Sequence, residues 1–288
     1  MTVMFIHWRK NRLNLSMKRF IVNADDYGHD RNRTEAIREC FRNGLLTQTT
    51  AMVNMPYCDE AIECARKDGI QERIGLHLNL TFGRPVTANI ARSRLFCDEN
   101  GFFTGRFHRS RVWRMWLPHF ERQAVAEEIS AQMDRYCSFG LPLMHIDSHH
   151  HSHTDPVILG IVIALAKQKG FRSIRLSRNL PIANSFLKRI YKRRVNCMIK
   201  KSALASSDYF GAVSDVASAL SSLPDDVTVE IMTHPIYVKG DTMPLNCEYH
   251  NTEGELSDTF CRIAEVIRIM RSIEEAGQKV SYADMRVS

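Results

Sequence analysis

Short apolar segments that end in polar residues alternate with helix-period segments along almost the whole chain. The apolar and β-branched runs predict strands at Arg19–Ala24, Thr47–Asn54, Ile74–Leu80, Leu143–Asp147, Ser173–Leu176, Thr228–Thr233 and Lys279–Tyr282. Helical periodicity between them predicts helices at Asn32–Arg42, Cys58–Lys67, Arg122–Phe139, Pro156–Lys169, Phe186–Ile199, Val213–Leu220 and Ser257–Ala276. This alternation indicates a parallel sheet covered by helices. Seven or eight such units in 288 residues predict an α/β fold, a (β/α) barrel that is either complete or distorted and seven-stranded.

Two segments interrupt the alternation. The segment Phe82–Phe120 is rich in Arg, Phe and Trp and is too long for a simple loop, so we expect an inserted loop region over the active-site face. The segment Met243–Glu255 is typical of a second active-site loop. With no repeat or linker in the sequence, residues 18–288 are expected to form one domain. Residues 1–17 then form an N-terminal extension, and we hypothesise that Met17 is the natural start, which mass spectrometry of the native protein would test.

The distribution of charge limits the partners. The formal net charge is +7, but twelve Lys and Arg and no acidic residue lie between Pro156 and Ser207. Five more basic residues lie in the first 24 positions, and the remainder of the chain is net acidic. Such a distribution is not typical of a general nucleic-acid binder, although the basic segments fit a phosphate-rich surface. We therefore expect no nucleic-acid partner.

The cysteines and the apolar runs indicate the compartment. Eight cysteines are scattered without a C-x-x-C pair, which indicates reduced thiols and a cytoplasmic protein. The apolar stretch near the N-terminus is short and precedes the charges, unlike a secretory signal. The longest uninterrupted apolar run, Val157 to Ala166, is well short of the ~20 residues that span a bilayer.

The histidines are the strongest chemical signal. Five of the twelve lie between His145 and His153, where a predicted strand ends. A solvated His-rich loop is the simpler interpretation, but each buried imidazole would need a polar partner, which makes such a cluster hard to explain as core packing.

Three other predicted strands also end in chemically active residues. Asp25 and Asp26 follow the first strand, and adjacent carboxylates repel each other unless a cation or a shared proton offsets the repulsion. His77 and His234 lie in or after apolar strands, where each alone would be an ordinary core histidine. Because the carboxyl ends of barrel strands meet at one face, these side chains are expected around one cavity with His149. One carboxylate and two imidazoles suit a catalytic divalent metal, and the remaining carboxylate and histidine suit acid–base work, so metal-assisted hydrolysis is predicted.

Five sequence segments in this order resemble those of one family. They are Asn23-Ala-Asp-Asp-Tyr-Gly28, Thr49-Thr-Ala-Met-Val-Asn54, Gly75-Leu-His-Leu-Asn-Leu-Thr81, His145-Ile-Asp-Ser-His-His-His151 and Thr233-His-Pro235. Together they resemble the YdjC-type carbohydrate deacetylases, which include chitooligosaccharide deacetylases. The resemblance runs from about Lys18 to Met285 and implies a (β/α) barrel-like fold. It also implies hydrolysis of the acetamido group of an N-acetylated saccharide with a divalent metal, usually Mg²⁺, with Zn²⁺ or Co²⁺ as alternatives.

The resemblance also implies roles for single residues. His77 and His149 would be metal ligands together with Asp26, Asp25 would be the base and His234 the acid. Other polar residues of the histidine segment would orient the ligands or touch sugar hydroxyls: His145, Asp147, His151 and His153. Arg175 at a strand end would bind substrate, and a structural ion pair is an equal alternative.

Two further partners are predicted. The segment 186–201 places apolar residues on one helical face and Lys and Arg on the other. An ordinary barrel helix with a solvated face has this pattern, and so does an interfacial helix that contacts anionic lipid or a polyprenyl-phosphate-linked glycan. A homodimer is common for enzymes of this size.

The alternatives to a deacetylase are a barrel metallo-phosphoesterase and a catalytically silent module that docks on a membrane or nucleic acid.

Overall fold

The computed structural model describes residues 17–180, 185–238, 244–252 and 255–285, so the proposed N-terminal extension lies outside the described residues except for Met17. In these ranges, no helix combines the length and the apolar character that crossing a membrane requires. The cysteines whose side chains are described there are all free thiols.

The centre of the molecule is a curled sheet of parallel strands. Its members are β1 (Lys18–Tyr27), β2 (Gln48–Ala51), β3 (Ile74–Leu78), β4 (His145–Ser148), β5 (Ser173–Ile174), β6 (Tyr209–Ala212), β7 (Thr228–Thr233) and β11 (Gly277–Lys279). Seven of the described strands follow the order β5-β4-β3-β2-β1-β7-β6, and β11 pairs with the start of β1. The predicted distorted, seven-stranded (β/α) barrel is confirmed.

The two edges of the sheet approach each other. Ile174 of β5 donates its N–H to the carbonyl of Ala205, and Leu180 donates to the carbonyl of Phe210 in β6. Irregular backbone therefore bridges the gap between β5 and β6, where a complete barrel would pair two strands. The carboxyl ends of the strands consequently surround one common mouth.

Helices cover the outside of this sheet. They are α1 (Arg31–Arg42), α2 (Cys58–Asp68), α6 (His119–Ser138), α7 (Pro156–Gln168), α8 (Phe186–Lys200), α9 (Val213–Ala219) and α10 (Ile263–Ala276). Local signals set several ends: the Asp30 carboxylate caps α1 by accepting the N–H of Arg33, and α2 stops at Gly69 with φ of 71°. Pro156 occupies the first turn of α7, where its missing N–H has no helical partner to lose.

The predicted insertion between β3 and α6 carries three short helices, α3 (Ala88–Ala91), α4 (Arg106–Arg109) and α5 (Arg111–Met115). It is fastened to α6 by Glu128, a fully buried carboxylate. The two oxygens of Glu128 accept the N–H groups of Val86 and Thr87 at 2.9 and 2.8 Å. These bonds explain why an acidic side chain is buried on a helix that faces the core.

Several predicted boundaries were wrong. β6 (Tyr209–Ala212) was not predicted, because a four-residue strand with a central glycine lacks a clear alternating pattern. The predicted helix Ser257–Ala276 begins only at Ile263, because residues 255–262 form the strand β10 (Glu255–Arg262). The segment predicted as a loop from Met243, which itself lies outside the described residues, contains β9 (Leu245–Thr252). Together with β8 (Pro235–Ile236), β9 and β10 form a small antiparallel sheet after β7.

Candidate active site

The end of β1 carries two adjacent carboxylates into the barrel mouth. Consecutive side chains of a regular strand point to opposite faces of the sheet, so only one of the two carboxylates would normally point into the barrel mouth. Here the pairing of β1 with β2 shifts between Ala24 and Tyr27, and Asp26 adopts a left-handed φ of 71°. This kink allows both Asp25 and Asp26, each almost completely buried, to reach the site.

Asp26 lies at the centre of a cluster of potential metal ligands. Its Oδ1 is 2.8 Å from Nδ1 of His149 and 3.3 Å from Nε2 of His77. The three residues each offer one ligand atom within 4.8 Å of the others. Burial opposes the charge on Asp26, but the two imidazoles outweigh it and hold the pKa of this carboxyl well below its usual range. One carboxylate and two imidazoles at this spacing fit a divalent metal ion.

The second ring nitrogen of His77 is held from behind. Nδ1 lies 2.7 Å from Oδ1 of Asp147 and 3.1 Å from the hydroxyl of Thr50, so Nε2 is directed at Asp26. A carboxylate behind a ligating histidine is the usual device for orienting the ring toward a metal. Burial lowers the pKa of His77, but the neighbouring carboxylates reverse the shift and raise the pKa to about 10.

Asp25 is fixed by a buried guanidinium. Nη1 and Nη2 of Arg175 donate to its two oxygens at 2.7 Å each, and Nδ2 of Asn23 donates to Oδ1 at 2.7 Å. The same guanidinium donates to Glu230 and lies 2.8 Å from Asp147. Because Arg175 has no exposed surface, its charge is compensated inside the protein by these three carboxylates and by the ring of Phe210, whose centroid is 4.7 Å from the guanidinium carbon.

Below this pair, a buried polar layer continues toward the bottom of the barrel. The hydroxyl of Tyr282 donates to Oε2 of Glu230 at 2.7 Å, and its ring stacks on His145 with centroids 3.8 Å apart. Burial raises the pKa of Glu230 and lowers that of His145 to about 3. His145 therefore lies below the mouth and is an uncharged packing partner of Tyr282.

His234 faces Asp25 across the mouth. Its Nε2 is 3.8 Å from Oδ2 of Asp25, and the side chain is 14% exposed. The small antiparallel sheet fixes its backbone: His234 donates its N–H to Oδ1 of Asn246 at 2.8 Å and accepts the N–H of Cys247 at 3.0 Å. Burial lowers the pKa of His234 below its usual value, although the negative charges of Asp25 and Asp26 act to raise it.

The remaining histidines of the cluster shape the loop after β4. His150 and His151 have left-handed φ angles of 52° and 56°, which is a strained conformation for residues other than glycine. His153 is buried, with Nδ1 2.6 Å from the hydroxyl of Ser148 and Nε2 3.1 Å from the carbonyl of Arg175. His153 therefore couples the loop that carries His149 to the strand end that carries Arg175.

The structure brings the predicted residues Asp25, Asp26, His77, His149 and His234 together at one mouth. Arg175 lies just behind them. Four further polar residues that shape the site were not singled out from the sequence: Asn23, Thr50, Glu230 and Asn246. Glu230 carried a usable signal, because a charged residue in the middle of an apolar strand needs a buried partner. Asn246 lies in a segment predicted as a loop, and no local pattern connects it with His234.

Comparison with known proteins finds relatives that match most of the chain. A family model described as YdjC-like protein matches residues 19–265. A carbohydrate deacetylase of Geobacillus stearothermophilus is 33% identical, with 76% of this chain and 79% of the relative covered. One from Thermoanaerobacter pseudethanolicus is 28% identical over 88% of this chain and 95% of the relative. The solved structure of a proposed cellobiose-phosphate cleavage protein from Enterococcus faecalis V583 is similar with a TM-score of 0.66 and 26% identity, over 93% of this chain and 98% of that one.

Proposed function

This chain belongs to the YdjC-like protein family, and on that premise we propose that it is a hydrolase that removes the acetyl group from an N-acetylated sugar or oligosaccharide and releases acetate. The observation that carries the proposal is the placement of two separate units at one mouth. The first is the cluster of Asp26, His77 and His149, to which we assign metal binding, and the second is the neighbouring pair of Asp25 and His234, to which we assign the acid–base steps. Its relatives named carbohydrate deacetylases support the substrate class.

The ligand cluster would hold a divalent metal ion. Mg²⁺ is our first choice, and the two imidazole nitrogens also suit Zn²⁺ or Co²⁺. When bound, such an ion polarises the acetyl carbonyl and makes water a better nucleophile. Asp147 would keep Nε2 of His77 directed toward the ion, as its contact with Nδ1 indicates.

Asp25 would accept the proton of the attacking water. Its carboxylate is held by two bonds from Arg175 and one from Asn23, so it cannot rotate away from the mouth. A fixed base saves the entropy of finding the reactive orientation. We propose that Arg175 acts on the reaction through Asp25 and not by touching the sugar, because it is completely buried.

His234 would protonate the departing amine, which is too basic to leave as an anion. Its Nε2 lies 3.8 Å from Oδ2 of Asp25, so a proton taken from water has a short path to the leaving group. The bonds from Asn246 and Cys247 to the backbone of His234 keep the ring at the mouth.

Acetate release from a panel of substrates tests the proposal. Metal-reconstituted enzyme would be incubated with N-acetylglucosamine, diacetylchitobiose, longer chitooligomers and a lipid-linked N-acetyl sugar. We expect metal-dependent acetate from at least one substrate, and its loss in His149→Ala.

His119→Ala is the matched control, because His119 is exposed at the start of α6 and should leave turnover unchanged. Full turnover by His149→Ala would contradict the proposed site. Phosphate release from sugar phosphates, with no acetate from the panel, would instead favour the metallo-phosphoesterase alternative. Oligomeric state and a cytoplasmic location stay predictions.

A further inference from the structure

The first turn of α8 does not pack on the barrel. Of its fifteen residues, the described side chains of only Val195 and Ile199 are buried, and both lie in the second half. At the other end, Phe186 is 64% exposed and Leu187 is 76% exposed. The expectation of an ordinary barrel helix therefore fits α8 from Tyr191 onward, and the exposed apolar residues of its first turn need another explanation.

A second exposed apolar group lies on the insertion. Val112, Met115, Trp116 and Phe120 are all more than half exposed, and the ring of Trp116 stacks on Trp113. Most large apolar side chains on a protein surface are scattered singly, whereas these four fall within nine residues. We call these four residues, together with Phe186 and Leu187, the apolar rim.

One side chain joins the two halves of the apolar rim. Arg114 of α5 lies over the ring of Tyr191 in α8, 5.6 Å from its centroid, and contacts its hydroxyl at 3.3 Å. Leu187 is one helical turn before Tyr191 and so lies on the same face of α8. Arg114 also forms an ion pair with Asp155, which follows the loop that carries His149. The apolar rim is therefore attached to the active-site end of the barrel.

Basic residues surround the apolar rim. Residues 101–120 contain four arginines and no acid, and residues 156–207 contain twelve Lys and Arg and no acid. Lys188, Arg189, Arg193 and Arg194 are exposed, and no carboxylate of the described part of the chain forms an ion pair with them. On the insertion, Arg106, Arg109 and Arg111 are exposed in the same way.

We propose that the apolar rim and its basic border form a docking surface for an anionic lipid bilayer. Trp and Phe insert at the boundary between headgroups and acyl chains, and Lys and Arg around them bind the lipid phosphates. A second copy of this chain is a poorer occupant, because a symmetric contact would bring two basic borders together. Nucleic acid is also a poorer occupant, because only three of the six residues of the apolar rim are aromatic and can stack on bases, whereas Val112, Met115 and Leu187 offer no stacking surface.

Docking in this way places the barrel mouth next to the membrane. The hydrolase would then reach an N-acetylated sugar carried on a lipid. This substrate class rests on the proposed function. The docking itself requires no catalysis, and a binding measurement without substrate therefore tests it separately.

Co-sedimentation of the full chain with vesicles tests the docking. We expect binding to phosphatidylcholine vesicles that contain phosphatidylglycerol, weakening as salt is added, and little binding to phosphatidylcholine alone. The double variant Arg189→Glu/Arg193→Glu should lower the partition coefficient at least about 25-fold, because each positive charge contributes on the order of fivefold. Leu187→Ser should also lower it, by removing apolar contact without changing charge.

The matched control reverses two charges at the opposite end of the barrel. Lys67 and Arg73 are exposed just before β3 begins, and Lys67→Glu/Arg73→Glu makes the same change in net charge. It should retain most of the binding. Thermal unfolding would confirm that each variant is folded.

Three results would overturn the proposal. The first is the absence of binding to phosphatidylglycerol vesicles at low salt, and the second is an equal loss in the control pair, which would indicate a general effect of net charge. The third is a preference for another occupant: tighter binding to duplex DNA at the same ionic strength, or a dimer in sedimentation equilibrium that Leu187→Ser dissociates. Vesicle binding by a protein that releases no acetate would support the docking and contradict only the proposed reaction.

Discussion

At the scale of single residues, the site depends on side chains that hold other side chains. Nδ1 of His77 is held by Asp147, and Asp25 is held by Arg175. Neither supporting residue is exposed, so neither gains anything from solvent. Buried charges of this kind persist only where partners and hydrogen bonds compensate the loss of hydration.

The support of His77 by Asp147 predicts a graded effect on metal binding. We expect Asp147→Asn to weaken divalent-metal affinity about 10–100-fold, because the amide keeps the shape but not the charge behind the ring. His77→Ala should remove measurable binding. Calorimetric titration of the metal-free protein measures both, with His119→Ala as the control, and unchanged affinity in Asp147→Asn would show that its contact with His77 is irrelevant to the ion.

The contacts of Glu230 predict a large effect on stability. Glu230→Ala should lower the free energy of unfolding by about 3–5 kcal/mol, because it leaves part of the Arg175 charge buried without its partner. Tyr282→Phe removes one hydrogen bond to Glu230 and should lower it by about 1 kcal/mol. Urea denaturation measures the two variants, and equal small losses would mean that Asp25 and Asp147 alone satisfy Arg175.

At the scale of elements, long-range ties hold the connections to the sheet. Glu128 fastens the insertion to α6, and Arg38 of α1 contacts Asp68 at the end of α2 through two nitrogens. In each case the contacting residues lie far apart in the sequence, so no local sequence pattern predicts the contact. The contribution of each contact is tested below by a substitution that removes it.

Removal of Glu128 should loosen the insertion. In Glu128→Ala, the N–H groups of Val86 and Thr87 lose their acceptor, and their amide hydrogen exchange should accelerate by about tenfold or more, as one lost hydrogen bond of ~1.5 kcal/mol implies. Glu127→Ala is the matched control on the same helix, since Glu127 contacts only side chains in its hydrogen bonds. Equal exchange in both variants would contradict the role of Glu128.

The contact between Arg38 and Asp68 predicts a pH-dependent contribution to stability. Hydrogen bonds from Arg38 hold the pKa of Asp68 below its usual range. Because the folded pKa is depressed, the stabilisation is complete above the unfolded value of about 3.9 and is lost as the pH falls through the folded value. Asp68→Asn should lower the free energy of unfolding by about 0.5–1 kcal/mol near neutral pH.

The difference from the unmodified chain should begin to shrink below about pH 4, where Asp68 of the unfolded chain becomes protonated, and should vanish once the pH falls through the lower pKa of the folded chain. Denaturant titrations from neutral to acidic pH measure this difference in the free energy of unfolding. Glu63→Gln, at an exposed pair with Arg66, is the control and should change little at any pH. If the loss of free energy of unfolding in Asp68→Asn stayed constant down to acidic pH, the ion pair of Asp68 with Arg38 would be excluded as its origin.

At the scale of the whole molecule, the sequence predicted the barrel and the five residues at its mouth, because strand–helix alternation and polar strand ends are local patterns. It did not predict β6 or the sheet of β8, β9 and β10, because short strands are recognisable only by their partners. The kink at Asp26 and the bond from His234 to Asn246 were missed for a related reason. Both depend on where the rest of the chain places the backbone.

The segment after α10 returns to the first strand of the sheet, a long-range pairing that no local pattern predicts. β11 pairs with the start of β1, and Val280 donates its N–H to the carbonyl of Phe20. Tyr282 then enters the buried layer below the site, where it contacts Glu230, His145 and the amide oxygen of Gln48. Residues 277–282 thus pack against β1 and against the residues that support the proposed base.

We therefore expect a chain that ends after Ala276 to lose its fixed tertiary structure. Without β11 and Tyr282, Phe20 and Glu230 would be exposed to water, and the near-ultraviolet circular dichroism should collapse while most helical signal remains. A chain that ends after Met285 keeps Tyr282 and is the matched control. Gly277→Ala tests the same junction with one methyl group, because a Cβ there would lie 2.0 Å from the carbonyl oxygen of Lys18. If the chain that ends after Ala276 unfolded as cooperatively as the control, the closing of the barrel by its C-terminus would be disproved.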